Sequence, residues 1–461
     1  MLESTDTFSI IAVAFIGICS ILTLASIGDF KRKLLDFVSP IVFVAGWTIL
    51  DFGVAPLLRL RQAAYDPETL HQWISVLVWI SLGFAALIVG YTLDLGDFFA
   101  ARFPRYEKYE WQPRFVIAAS LILGALGFAG NVLFYQAVGG VQNYLSNFNN
   151  RILLWNKNIG PLLALRDMGL LAVILWYGYI VRPHIRRRLG GLVTWGLFAV
   201  LLAANLIPQL PLGSRTGVLR VFIDIAVIYH ILKRRIKFWE FVGIGILLAG
   251  FVYAYGEMRF IVSRSHGIRS TQELIDDLSE STSNVSESGI AHEYDQYMSV
   301  LARIMDGVPN EVNYLHGSTY LLGFAYVVPR AIWSDKPPSA AVILTDQLFA
   351  GSYSGTSYLT PTMWGEAFMN FGYLGIIIIP FAFGVLFKGF NLYAKTSPVS
   401  PAQAVIYTIM LRWTDGVVLG DFVNVNGLLM IQFIALFLTC GLVSRASRVS
   451  LQARRFRRFA A

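Results

Sequence analysis

The stretch GSTYLLGFAYVVPRAIWSDKPPSAAVILTDQLFAGSYSGTSYLTPTMWGEAFMNFGYLG, Gly317 to Gly375, decides how this chain threads through a membrane. Its first part, Ser318 to Trp333, is apolar but shorter than the ~20 residues a helix needs to cross the hydrocarbon core. It carries Pro329 and Arg330 near its end, a poor ending for a plain anchor. A polar loop rich in Gly, Ser and Tyr follows. A long apolar segment then opens with Glu366, an acid placed where a span should meet water. The short run reads as a re-entrant or surface-lying amphipathic helix, and the long segment as a span.

Working outward, the 461 residues are 56% apolar and 14% charged, with a mean hydropathy of +0.58. A soluble protein of this length would not normally show such values. The expected fold class is an all-α polytopic membrane protein with about eleven transmembrane helices. Apolar windows place them near 8–27, 37–58, 72–93, 115–138, 161–181, 191–212, 217–232, 239–258, 361–387, 401–420 and 424–444. The first span follows Glu3 and Asp6 rather than a basic leader, so it is expected to stay in the mature chain.

The connections alternate in basic content. Lys31 to Lys33, Arg102 to Arg114, Arg182 to Arg188, Lys233 to Lys237, Lys388 with Lys395, and the arginine-rich tail from Arg445 fall on one side. The opposite short loops hold only Arg59, Arg61, Arg151, Lys157 and Arg215. The positive-inside rule then puts the N-terminus outside and the C-terminal tail in the cytoplasm, provided that Ser318 to Trp333 does not cross. The expected organisation is a bundle of eight spans (1–258), a large external loop (259–360), three further spans (361–444) and a basic cytoplasmic tail (445–461).

The net charge of +8 is spread over span ends rather than gathered on one soluble domain, which argues for membrane lipids as partners and against nucleic acid. Cys19 and Cys440 sit in apolar segments far apart, so no disulfide framework is indicated. The six histidines show no paired spacing, and neither a metal nor another cofactor is expected.

Several charged residues converge on the outer face. Arg215, in the turn Ser214-Arg215-Thr216-Gly217, could hold a phosphate or snorkel to lipid headgroups. Glu257 and Arg259 close the eighth span, either as a local ion pair or as part of a site, and Arg264 follows them. Arg330 and Lys336 frame the turn after the short apolar run. Arg412 and Asp415 lie three apart on one face of their span, where charges pair with each other or face a cavity. Tyr326 and Trp364 are aromatics suited to a sugar ring or to an interfacial belt. Glu366 and His316 are the leading candidates for accepting a proton.

Four motifs together resemble the Wzy-type oligosaccharide repeat-unit polymerases that build O-antigen, enterobacterial common antigen and exopolysaccharide. They are Ser214-Arg215-Thr216-Gly217, the run VVPRAIWSDKPP from Val327 to Pro338, the block GEAFMNFGYLG from Gly365 to Gly375, and Leu411-Arg412-Trp413 followed by Asp415. The resemblance implies a GT-C-like, metal-independent glycosyltransferase at the periplasmic face of a bacterial inner membrane. Its donor and acceptor would be undecaprenyl-diphosphate-linked glycans, and a polysaccharide chain-length regulator would be a partner. Arg215, Arg330 and Arg412 would then hold the diphosphate. Glu366 matches the acid of the G-E-x-F-x-N-F-G block.

Two rival readings accompany it. An O-antigen ligase, which hands finished glycan to lipid A core, would share the arginines and depend on a loop histidine, for which His266, His292 and His316 are available. A lipid-linked glycan transporter would be expected to show two related halves, and no internal repeat is visible.

The charge pattern yields a topology test. A cysteine introduced at Ser286 is expected to react with a membrane-impermeant thiol reagent added outside, and one introduced at Gln452 is expected to stay unlabelled until the membrane is opened. The reverse pattern would invert the threading.

Overall fold

The computed structural model describes residues 2–29, 34–35, 37–60, 65–103, 111–147, 159–181, 191–212, 215–237, 239–248, 250–251, 254, 288–326, 328, 332–351, 358–395 and 399–459. Regular structure among them is helical, apart from a two-residue antiparallel pairing of Gly28–Asp29 with Leu34–Leu35. Among the described residues, eight helices are long and apolar enough to cross a membrane: Thr5–Ile27, Pro40–Leu60, Pro67–Thr92, Pro113–Ala137, Ile159–Ile180, Gly191–Leu212, Thr362–Lys395 and Phe422–Arg445. This is the build of a polytopic membrane protein. The three other expected spans fall on the helices Arg215–Leu232 and Pro401–Leu419 and on the shorter apolar helix Trp239–Leu248. The first two of these carry internal charges, Arg220 with Asp224 and Arg412 with Asp415.

Local chemistry sets the helix starts. Pro40, Pro67 and Pro113 each stand in the first turn, where a missing N–H costs nothing. Ahead of Pro67, the Asp66 carboxylate accepts from the Thr69 backbone N–H at 2.8 Å and from its hydroxyl at 2.7 Å. This cap keeps the exposed Asp66 carboxyl below its ordinary value, chiefly through the backbone bond.

The residues group into two compact units, each assembled from three pieces of the chain. One comprises Met1–Phe103, Ser286–Tyr393 and Met410–Leu429; the other comprises Pro104–Val285, Ala394–Ile409 and Met430–Ala461.

In the first unit the N-terminal helix turns Phe8, Ala12, Phe15 and Cys19 inward at helical spacing against the Pro67–Thr92 helix, and the Phe8 and Trp73 rings meet at 5.6 Å. Ile10, Val13 and Ile21 point away, the surface a lipid bilayer would cover. The Pro67–Thr92 helix also crosses the Thr362–Lys395 helix closely. An added Cβ at Gly90 would meet the Phe381 carbonyl, and one at Gly384 would meet the Leu87 carbonyl. Small residues on both sides let the two backbones approach, the usual means of holding helices together in lipid. Beyond the crossing, Asn391 Nδ2 donates to Tyr91 Oη at 2.6 Å.

In the second unit the Pro113–Ala137 and Ile159–Ile180 helices share the most extensive packing. The Ile159–Ile180 helix is buried all round from Met168 onward, and Trp176 Nε1 donates to the Thr194 carbonyl at 3.1 Å. Near its start, Arg166 and Asp167 pair at 3.2 Å, and Gln432 Nε2 donates to the second Asp167 oxygen at 2.8 Å. The pair is therefore tied into packing.

The short apolar run 318–333 yields the eight-residue helix Ser318–Ala325. At ~1.5 Å per residue it covers about 12 Å, too little to cross a bilayer. Thr319, Leu322 and Gly323 are buried, while Leu321 and Phe324 are exposed.

The glycine crossing predicts that Gly384→Ile destabilises the protein by ~1–3 kcal/mol, since backbone must move to admit the side chain. Thermal unfolding in detergent measures it, with Gly17→Ile as control because no atom lies within 4 Å of a Cβ built there. Equal effects of both substitutions would disprove the close crossing.

Candidate functional site

The expected span 361–387 falls on the Thr362–Lys395 helix, and the structure adds a break inside it. The Thr362–Lys395 helix has 34 residues, about 51 Å if straight, which exceeds the ~30 Å hydrocarbon core. It is broken at Phe371 (φ −139°, ψ 15°) and Gly372 (φ 61°, ψ −146°). Residues 362–370 ahead of the break are buried on every side, and exposed side chains begin at Phe371, Tyr373 and Leu374. The first half is thus enclosed by protein, and the second half has an outward apolar face. Gly372 is required twice over. Its backbone lies in a region that side chains rarely adopt, and a Cβ there would stand 2.9 Å from Tyr314 Oη.

A break in a helix frees carbonyls, and here the loop before Ser318 takes them. Leu315 N–H donates to the Met369 carbonyl at 2.9 Å and His316 N–H to the Asn370 carbonyl at 3.1 Å. Asn370, fully buried, completes the docking. Its Oδ1 accepts from Gly317 N–H at 2.8 Å, and its Nδ2 donates to Thr319 Oγ1 and to the Glu366 carbonyl, each at 2.8 Å. The loop passes through His316 at φ 47° and Gly317 at φ 83°. Left-handed backbone at a histidine costs roughly 1–2 kcal/mol and persists only where surrounding bonds hold it. The His316 side chain is exposed, 6.3 Å ring to ring from Tyr314.

One turn before Asn370, the buried Glu366 turns its carboxylate onto another helix end. Its Oε2 accepts from Phe422 N–H at 2.7 Å, at the first residue of the last helix, and the Thr319 hydroxyl lies beside it. Asp421 caps the same terminus, accepting from Asn424 N–H at 2.7 Å and from Asn424 Nδ2 at 2.9 Å. Asp421 Oδ2 also accepts from Ala341 N–H at 3.2 Å. The positive end of the helix dipole suits both carboxylates, which are close enough for their charges to interact. Asn426 then joins this helix to the short one, donating to the Gly323 carbonyl at 2.9 Å and accepting from Trp413 Nε1 at 3.1 Å.

The other expected site residues stand as follows. Arg412 and Asp415 are buried in the part of the Pro401–Leu419 helix that belongs to the first unit. Asp415 is close enough to Asp51 for their charges to interact, and Asp51 occupies the wider π-helical turn Leu50–Val54. Such bulges recur at functional sites. Lys336, expected to meet substrate, is buried. Its Nζ donates to the Tyr326 carbonyl at 2.8 Å and to the Val328 carbonyl at 3.3 Å, and sits 4.5 Å from the Tyr326 ring centre. Trp364 is fully buried, with Gly83 opposite its ring, a packing position without an open face. Arg215 opens the Arg215–Leu232 helix of the second unit. Its side chain, together with Glu257, Arg259, Arg264 and Arg330, lies outside the described residues.

Sequence reasoning missed Asn370, Thr319 and Asp421. Asn-Phe-Gly at 370–372 is a helix-stop signal, and Gly420-Asp421 ahead of an apolar helix is an N-cap signal. Chemically, the arrangement offers a solvent-facing imidazole on a tightly held loop above a buried polar node. An imidazole so placed can accept or donate a proton.

Removing the carboxylate should expose the dependence. Glu366→Ala leaves the buried Phe422 N–H without its acceptor and is expected to cost ~1–3 kcal/mol in thermal unfolding. Glu366→Gln retains an acceptor oxygen and should lose less. Equal losses would show that Glu366 contributes only its volume.

The chain matches no protein-family model, no curated protein and no solved structure.

Proposed function

We propose that this protein polymerises undecaprenyl-diphosphate-linked oligosaccharide repeat units at the periplasmic face of a bacterial inner membrane, as a GT-C-like glycosyltransferase of Wzy type. The observation that carries the reading is the interrupted helix Thr362–Lys395, whose break is covered by the loop that presents His316. Irregular backbone inside a helical membrane protein is tolerated where protein encloses it or where it borders a cavity, and such breaks are common at binding sites. In this reading the chain crosses the membrane eleven times, with its N-terminus in the periplasm and its basic tail in the cytoplasm.

The reaction balances as a displacement at an anomeric carbon. A hydroxyl of the acceptor unit attacks that carbon, the bond to the donor's diphosphate oxygen breaks, and undecaprenyl diphosphate leaves carrying the bonding electrons. The hydroxyl proton passes to a base. Negative charge grows on the departing diphosphate, so preformed cations lower the barrier, and Arg215, Arg330 and Arg412 are assigned that task. His316 is the preferred base because its ring is solvent-facing, whereas Glu366 is buried and spends one oxygen on Phe422 N–H.

The exposed His316 also favours a second reading, a ligase that hands glycan to lipid A core with a loop histidine as base. Substitutions separate the two. Arg330→Ala and Arg215→Ala are expected to leave insertion and abundance intact while eliminating polymer longer than one repeat unit, read from surface glycans on a gel. His316→Ala should do the same. Full-length polymer in all three variants would defeat the polymerase reading. Polymer that is still made but no longer joined to lipid A core would establish the ligase.

A further inference from the structure

In the second unit, the turn that joins the Arg215–Leu232 helix to the Trp239–Leu248 helix gathers Lys233, Arg234, Arg235 and Lys237 within a few positions. Its backbone is tied at both ends. Lys233 N–H and Arg234 N–H donate to the Tyr229 carbonyl at 3.0 and 3.3 Å, and Ile236 N–H donates to His230 Nδ1 at 3.1 Å. From the other side Glu240 reaches back to accept from Lys237 N–H at 3.1 Å, as in a capping box. The same carboxylate grips Arg234 through two bonds of 2.9 Å. One arginine is thus committed inside the turn. Lys233 stands 5.0 Å from the Tyr229 ring centre, and Lys233, Arg235 and Lys237 are exposed, with no carboxylate partner among the described residues.

Directly after these cations the surface becomes apolar. Trp239 is 78% exposed, and Ile246 and Leu247, two turns further on and so on the same side of the helix, are exposed as well. A free phosphate would answer the cations and leave this stripe uncovered. Hydrocarbon alone would cover the stripe and leave the cations without counter-charge at its edge. An amphiphile with an anionic head answers both. A zwitterionic head brings its own ammonium among the cations, so a head with net negative charge is favoured. A belt of solvated charges needs no fixed backbone, whereas this turn is ordered before any lipid arrives, which lowers the entropy cost of binding.

We propose that this turn binds an anionic phospholipid of the bilayer, its phosphate met by Lys233, Arg235 and Lys237 and a chain lying along Trp239, Ile246 and Leu247. The site belongs to the second unit and stands independently of the glycan reading.

The test uses the purified full-length protein in phosphatidylcholine nanodiscs with a minor share of phosphatidylglycerol, or of phosphatidylcholine, bearing the same diazirine chain. The phosphatidylglycerol probe is expected to label the peptide covering 239–247 at least about fivefold more than the phosphatidylcholine probe, roughly the ratio that one cation near a headgroup gives. Around Val13 and Ile21, on the outward face of the first helix, the two probes should label equally. Lys233→Gln, Arg235→Gln and Lys237→Gln combined should bring the ratio at 239–247 down to the first-helix value. Glu240→Ala adds net positive charge but unties Arg234 and the Lys237 N–H, and should lower the ratio. A ratio at 239–247 no higher than at the first helix, the signature of annular lipid only, would overturn the proposal. A ratio left unchanged or raised by Glu240→Ala would do so too, because charge alone would then suffice. Displacement of the probe by soluble glycerol phosphate would assign the cations to a free anion and likewise defeat the lipid site. Should the substituted proteins fail to fold, the comparison between the two places on the unaltered protein still decides.

Discussion

Backbone carbonyls released by a break in a membrane helix must find donors, because hydrocarbon offers none. The Phe371–Gly372 interruption meets that demand with the backbone of 315–317 and the side chain of Asn370, and each bond joins residues about fifty positions apart. A buried polar group left unanswered costs ~1–3 kcal/mol, so the donors of the docked loop stabilise the break. The left-handed backbone at His316 follows from the same bonds. A loop that had only to connect two helices would relax, whereas one that supplies the donors for a broken helix must keep the geometry those donors need.

The polar node reaches further because Glu366 and Asn370 lie one turn apart on the enclosed half-helix and therefore share a face. Asn370 Nδ2 answers the Glu366 carbonyl at the helix end behind it, and the Glu366 carboxylate answers the helix beginning at Phe422. The C-terminus of one helix and the N-terminus of another are thus satisfied from a single buried turn. Both ends carry partial charges of opposite sign, so an amide that donates and a carboxylate that accepts are complementary choices. Tyr320 and Phe422 stack edge to face at 5.2 Å alongside, which excludes water from the bonds that matter most.

Composition and apolar period made the membrane class and the eight long helices legible, because a span is a local property of about twenty residues. The short run 318–333 was legible for the same reason, by its length. The break was not. Met363 to Ile379 is a nearly continuous apolar run in which Gly372 reads as one more small residue of a packed helix. Asn370-Phe371-Gly372 is a local stop signal, but apolar residues continue on both sides of it, and the docked loop, distant in sequence, is what holds the break. Glu366 was singled out as an acid at a span entrance, and its burial against Phe422 N–H depended on a contact 56 residues away. Lys336 likewise read as a charge framing the turn and a candidate substrate contact, since nothing local discloses that the Tyr326 and Val328 carbonyls lie within its reach.

That last contact bears on how a cationic site would be organised. The Lys336 ammonium ties its own position to the carbonyls of Tyr326 and Val328, so both ends of the 328–336 segment are fixed while its interior carries Arg330. An ammonium spent on two carbonyls and an aromatic face has little capacity left for an incoming diphosphate. A guanidinium presents five donors in a planar fork and matches a phosphate bidentately. Within this segment the lysine serves as an anchor. An arginine at position 336 would carry the same charge but a larger, planar head, and could not reproduce the two carbonyl bonds that a compact ammonium makes from a buried stem. Charge count alone therefore misjudges this segment, because the Lys336 ammonium is committed to holding the fold.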